Sequence, residues 1–116
     1  MKHILFSLDE LPQGQMRAVE VEGRPLILVH TSNGTMHALW NRCPHYGAIL
    51  SDGVLESMLT SDSPGSYEIA EGRFVVRCPW HGYEFDVERG RCPADPRVFV
   101  RTFNVEIENG RVVVDM

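Results

Sequence analysis

The sequence predicts an all-β chain built from antiparallel sheets. Three observations point there. Segments rich in β-branched and aromatic residues recur along the chain, short turn signals separate them, and no segment sustains a 3.6-residue apolar period with caps at both ends. Ile4, Phe6 and Leu8 alternate with His3, Leu5 and Ser7 as an opening strand, and Arg17–Val21 runs through Glu22-Gly23 into the apolar run Leu26–Val29. Asn33-Gly34, between Leu26–His30 and Met36–Trp40, supplies the two positive-φ residues that a two-residue type I′ hairpin turn demands. Val54–Leu59 has room for one or two helical turns, and Ser51–Ser66 reads as the least ordered stretch, with residues 61–66 as loop. Glu71-Gly72 is expected to join Tyr67–Ala70 to Phe74–Arg77, and Asn109-Gly110 to join Phe99–Ile107 to Val112–Val114. In that last long strand Phe99, Phe103, Val105 and Ile107 should share a buried face, with Val100, Thr102, Asn104 and Glu106 on the wet one. Arg101 interrupts the inward set, which places it at a sheet edge or has it snorkelling.

A chain of 116 residues is expected to form one domain, residues 1–116, with a core of its own. Eleven Lys and Arg against sixteen Asp and Glu give a net charge of −5. That balance argues against nucleic acid, whose phosphates call for a basic stripe. No apolar run approaches the roughly 20 residues of a membrane helix, and the first ten residues lack the pattern of a signal peptide. A cytoplasmic location is therefore expected, and three cysteines in a reducing compartment point to metal or redox chemistry before any disulfide.

Two of the three cysteines and two of the five histidines fall into matched clusters, Cys43-Pro44-His45-Tyr46-Gly47 and Cys78-Pro79-Trp80-His81-Gly82. Four such ligands on two loops suit either one tetrahedral Zn²⁺ or an iron–sulfur cluster. Zinc fingers and ribbons pair like with like within one loop, because a tight loop must offer two ligands to one ion. Here each loop offers one Cys and one His. A two-iron core accommodates that arrangement, with both thiolates on one iron and both imidazoles on the other.

Cys43-Pro44-His45, followed by Cys78-Pro79-Trp80-His81-Gly82-Tyr83-Glu84-Phe85-Asp86, resembles the Rieske iron–sulfur family in its small ferredoxin-like branch. Ala38–Arg42, Gly47–Gly53 and the closing Val105–Val112 extend the resemblance over nearly the whole chain. It implies a Rieske fold with a cluster-binding subdomain at about residues 41–96, and one [2Fe–2S] cluster held by Cys43, His45, Cys78 and His81. It also implies that the histidine-bound iron takes the electron and that a partner docks over the outer imidazole nitrogens. High-potential members carry an extra disulfide and a serine near the cluster; Ala48, Trp80 and Tyr83 stand in those loops here. The potential is therefore expected toward the low end of the roughly −150 to +300 mV Rieske range. The gap of 32 residues between His45 and Cys78 is long for the family, with the excess at about 56–73, expected as a loop plus an extra hairpin.

The resulting expectation is a soluble one-electron carrier without catalysis of its own, monomeric when free. As the ferredoxin component it would pass electrons from a reductase to a terminal oxygenase. No Gly-x-Gly-x-x-Gly fingerprint follows a strand, so hydride chemistry must lie with a partner. Two rivals stand beside it: the small subunit of an assimilatory nitrite reductase, and a zinc-binding or cluster-less interaction module. Cys92 is read as a buried residue outside the ligand set, and His3, His30 and His37 as structural or surface residues. Pro93 and Pro96 read equally as a loop covering the cluster or as an ordinary turn, and Trp80 and Tyr83 as core more than as tuning groups. The acidic surplus reads as a solvated face, or as steering toward a basic partner.

Overall fold

The computed structural model describes residues 1–44, 47–63, 66–80 and 82–116, with side chains except at 60–63 and 66–68. Among these residues nine strands form two antiparallel sheets. The larger has the order β1 (Lys2–Ser7), β9 (Arg111–Asp115), β8 (Thr102–Glu108), β4 (Met36–Trp40), β3 (Arg24–His30), β2 (Gln15–Val21). The smaller contains β5 (Val54–Ser63), β6 (Ser66–Arg77) and the short β7 (Glu84–Asp86). No helix among the described residues is long and apolar enough to cross a membrane.

β3, in the interior of the large sheet, is buried on both faces, which explains its unbroken apolar run. Leu26 and Leu28 point into one core with Phe6, Val21, Phe103 and Val114, while Ile27 and Val29 point into the other. Alternation of a strand sends successive side chains to opposite faces, so a strand with two dry faces must be apolar throughout. The second core lies between the sheets and includes Leu39, Leu50, Val76 and Phe85 together with Cys43 and Cys78.

Two hairpins follow their turn residues. Glu22-Gly23 and Asn109-Gly110 both have positive φ at each position, 51° and 76°, and 53° and 74°. These are two-residue loops, with Val21 paired to Arg24 and Glu108 to Arg111. Asn33-Gly34 departs from the expected type I′ turn. Only Gly34 has positive φ, 90°, and the loop spans five residues closed by a Thr31 N–H bond to the Thr35 carbonyl at 2.9 Å. The cause is Thr31, fully buried, whose hydroxyl accepts the Thr35 N–H at 3.1 Å and so holds the wider loop.

The expected helical turns at Val54–Leu59 are replaced by β5, preceded by a 3₁₀ turn at Leu50–Asp52; of the expected loop at 61–66, residues 61–63 belong to β5 and Ser66 to β6, and 64–65 lie outside the described residues. Nor does Glu71-Gly72 turn the chain: it lies inside β6, where the register jumps from Ser57 opposite Phe74 to Leu59 opposite Ile69. Gly72, at φ 75°, supplies the left-handed residue of that bulge. The described residues between the ligand loops thus pair as two long antiparallel strands, β5 and β6, in place of the expected loop plus hairpin. Their polar composition misleads because these strands are set by their pairing with each other and not by apolar alternation.

The last long strand also starts later than expected. Residue 102 opens β8, and the preceding segment is held by Val100 N–H to Gly90 carbonyl at 2.8 Å and by an isolated bridge of Phe99 with Arg91. Val100 is therefore the buried residue and Phe99 is 56% exposed, the reverse of the expected parity, and Ile107 is 43% exposed. Arg101 lies with its guanidinium 4.7 Å from the centre of the Phe103 ring.

Candidate metal centre

The two cysteine loops leave different strands and close in the same way. β4 ends at Trp40 and delivers Cys43; β6 ends at Arg77 and delivers Cys78. The Cys43 N–H donates to the Ala48 carbonyl at 2.8 Å and the Cys78 N–H to the Tyr83 carbonyl at 2.6 Å, each a closure onto the fifth residue along. In each loop the fourth residue is a glycine, Gly47 and Gly82, and both have φ of 69°. A Cβ at either would meet nothing within 4 Å, so the glycines serve the left-handed backbone, not space. The two loops share this closure and this glycine conformation, although the histidine stands second after one cysteine and third after the other.

Cys43 and Cys78 are 1% and 2% exposed, unoxidised, and packed in the same core as Phe85 and Leu50. Burial pushes the Cys78 thiol up; the Trp80 N–H, 3.4 Å from its sulfur, pulls the other way, and the adjoining Cys43 thiol raises it again. Two neighbouring buried thiols ionise together only against positive charge, and a thiolate-binding metal group supplies it. The N–H directed at sulfur fits a ligating thiolate. His45 and His81 lie outside the described residues.

Asn41 is a positioning residue that sequence reasoning gave no role. Its side chain, 3% exposed, accepts the Ser51 N–H through Oδ1 at 2.8 Å and donates through Nδ2 to the Ser51 hydroxyl at 3.0 Å. Its own N–H donates to the Pro25 carbonyl at 3.0 Å. One amide thus staples both ends of the first cysteine loop to the sheet. Asn41→Ala should cost about 0.5–1.5 kcal/mol, because the half-buried Ser51 groups lose their partner. Urea unfolding checks the stability, and the rate of iron loss to a chelator should rise several-fold; an unchanged rate would mean the staple does not steady the loop.

The remaining candidates fall outside the cysteine pair. Cys92 is buried in a turn of its own, its N–H donating to the Val98 carbonyl at 2.9 Å and its carbonyl accepting from Asp95 at 3.2 Å. His30 is buried, with Nδ1–H donating to the Leu11 carbonyl at 2.7 Å, and His37 pairs through Nε2 with the Thr35 hydroxyl at 3.0 Å. His3 stands 3.9 Å from Glu22. Tyr83 packs partly buried against the inter-sheet core, whereas Trp80 is 55% exposed and not the core residue expected.

The Rieske [2Fe-2S] domain profile matches residues 2–104. The chain belongs to this family. As a Rieske domain it takes one [2Fe–2S] cluster, and the paired buried cysteines with their matched loops fit that group. Mouse (Mus musculus) apoptosis-inducing factor 3 is 39% identical over 92% of the chain, but the chain spans 15% of that protein's length. The naphthalene 1,2-dioxygenase ferredoxin component of Pseudomonas aeruginosa is 35% identical over 95% of this chain and 90% of its own. Among solved structures, a Mycobacterium tuberculosis protein described as an NADH-dependent nitrite reductase small subunit superposes with a TM-score of 0.81 at 26% identity, covering 98% of this Rieske domain and 93% of its own chain. The ferredoxin of carbazole 1,9a-dioxygenase from Nocardioides aromaticivorans IC177 gives 0.73 at 25% identity, covering 98% and 96%.

Proposed function

We propose that this Rieske domain is a one-electron carrier, the ferredoxin component that takes electrons from a reductase and passes them to a terminal oxygenase. The observation that carries the reading is the pair of buried cysteines presented by two identically closed loops on an otherwise all-β frame. In this reading Cys43 and Cys78 hold one iron through thiolates, and His45 and His81 hold the other. The group supplies reversible one-electron chemistry when bound. The chain's own residues exclude water behind the thiolates, through Phe85, Leu50 and Val76, and aim the Trp80 N–H at sulfur. Residues 1–116 act as one domain, about 41–96 forming its cluster-binding part, and its partners supply the catalysis. The reducing cytoplasm suits its unpaired cysteines.

The test is reconstitution with iron and sulfide: a red-brown protein with two of each per chain, and two nitrogen couplings in the pulsed electron paramagnetic resonance of the reduced state. A colourless protein with one zinc would sink the reading. His81→Cys, if it still assembles, should lose one nitrogen coupling and lower the potential by on the order of 100 mV, because a thiolate adds negative charge at the reducible iron. A rise in potential would show the ligand assignment to be wrong.

The TM-score of 0.81 favours a second reading, a Rieske subunit fixed to a nitrite reductase. A stable 1:1 complex with a sirohaem protein from the same cell would decide for it.

A further inference from the structure

We propose that a groove beside the first cysteine loop is the docking site for a redox partner whose contact segment carries carboxylates around an apolar side chain. This rests on the electron-carrier reading and names the partner's chemistry. A cavity of 520 Å³ runs between the loop at Cys43 and Pro44 and the segment at Phe99 and Val100. It adjoins a second, of 290 Å³, which shares Pro44 and Phe99 and adds Val98. The fold builds this groove: Trp40 N–H donates to the Arg101 carbonyl at 2.8 Å, and burial of Val100 turns Phe99 outward, 56% exposed.

Its charge runs against that of the chain. The net charge is −5, yet among the described residues no Asp or Glu lines either cavity, while Arg42 and Arg101 line the first and Arg97 the second. Arg97 is neutralised by Asp95 at 3.0 Å. Lys2, Arg17, Arg73 and Arg77 also have carboxylate partners, whereas among the described residues Arg42, Arg91 and Arg101 have none, nor do Arg24, Arg89 and Arg111, which line neither cavity. Arg91 instead lies 5.7 Å from the centre of the Phe99 ring. An exposed aromatic ring in a groove that also presents guanidinium groups without carboxylate partners has the composition of an interface centre, and its complement is carboxylate with an apolar tip. Net charge governs approach from afar, but at contact, within a Debye length of about 8 Å, the local arginines decide. Cys43 lines the groove, so an occupant sits against the thiolate-bearing loop. For this face the proposed complement is the opposite of the basic partner that net charge alone suggests.

The experiment follows oxidation of the reduced holoprotein by hexacyanoferrate(III), an anion, and tris(phenanthroline)cobalt(III), a cation, in the wild type, R42E/R101E and F99A. The acidic peptide Glu-Asp-Phe-Asp-Glu and benzoate serve as competitors. The double variant should react about tenfold more slowly with the anion and faster with the cation, the differences shrinking as salt rises. The peptide should slow the wild type toward the anion and have no effect on F99A. Potentials measured on each variant correct for driving force. Unchanged rates in the double variant, rate changes fully explained by potential, or benzoate matching the peptide would each overturn the proposal, the last in favour of a small-molecule site. Failure of the wild type to assemble a cluster would instead overturn the carrier reading.

Discussion

Replacing Cys43 or Cys78 by alanine is expected to give a colourless protein that retains neither iron nor sulfide. Each removes a thiolate from a four-donor set, and neither loop offers a substitute: Ala48, Trp80 and Tyr83 are the neighbours, and Cys92 is tied into its own turn. Metal binding contributes to folding free energy, so the lost cluster should also lower stability in the inter-sheet core that holds both cysteines. The other core, with Phe6, Leu26, Phe103 and Val114, contains neither cysteine, so the six-stranded sheet should survive with near-native far-ultraviolet circular dichroism. Cys92→Ala is the control and should keep two irons per chain. Iron and acid-labile sulfide assays read the outcome; a coloured Cys78→Ala protein, or a colourless Cys92→Ala one, would refute the ligand set.

What the sequence made legible follows from how local each signal is. The Asn109-Gly110 turn needs only two residues able to take positive φ, and Leu26–Val29 announces a strand dry on both faces by being apolar throughout. The cysteine loops are legible because ligand type and spacing are chemical requirements that few other sequences meet. Polar Ser61, Asp62 and Ser63 in β5 carry no such signal, since their strand is set by pairing with β6. The parity at Phe99 and Val100 escaped because a hydrogen bond to Gly90, distant in sequence, ends the alternation. Asn41 gave no signal because an asparagine after a strand is usually a turn residue, and only the nearby Ser51 makes it a staple. Composition likewise reported the sum of charges but not their placement, which is where the docking groove departs from it.

Gly53→Ala should be more damaging than Gly47→Ala or Gly82→Ala. Gly53 has φ of −87°, open to any residue, so the issue is space. A Cβ there would lie far inside contact distance of the Arg77 carbonyl oxygen and 3.1 Å from that of Leu50, both backbone atoms that cannot swing aside. Gly53 follows the first cysteine loop, Arg77 directly precedes Cys78, and the next residue, Val54, pairs with Arg77 as the first rung of the β5–β6 ladder. An added methyl must therefore part the two chain segments that bring Cys43 beside Cys78. Forced separation of packed backbone should cost about 3 kcal/mol or more, against about 1–2 kcal/mol for a left-handed alanine at position 47 or 82, where a Cβ meets nothing. The expected result is a Gly53→Ala protein with a lowered urea midpoint and a substoichiometric cluster that bleaches quickly, while Gly82→Ala assembles fully. If Gly53→Ala instead held two irons with wild-type stability, the two loops would not depend on this contact for their register.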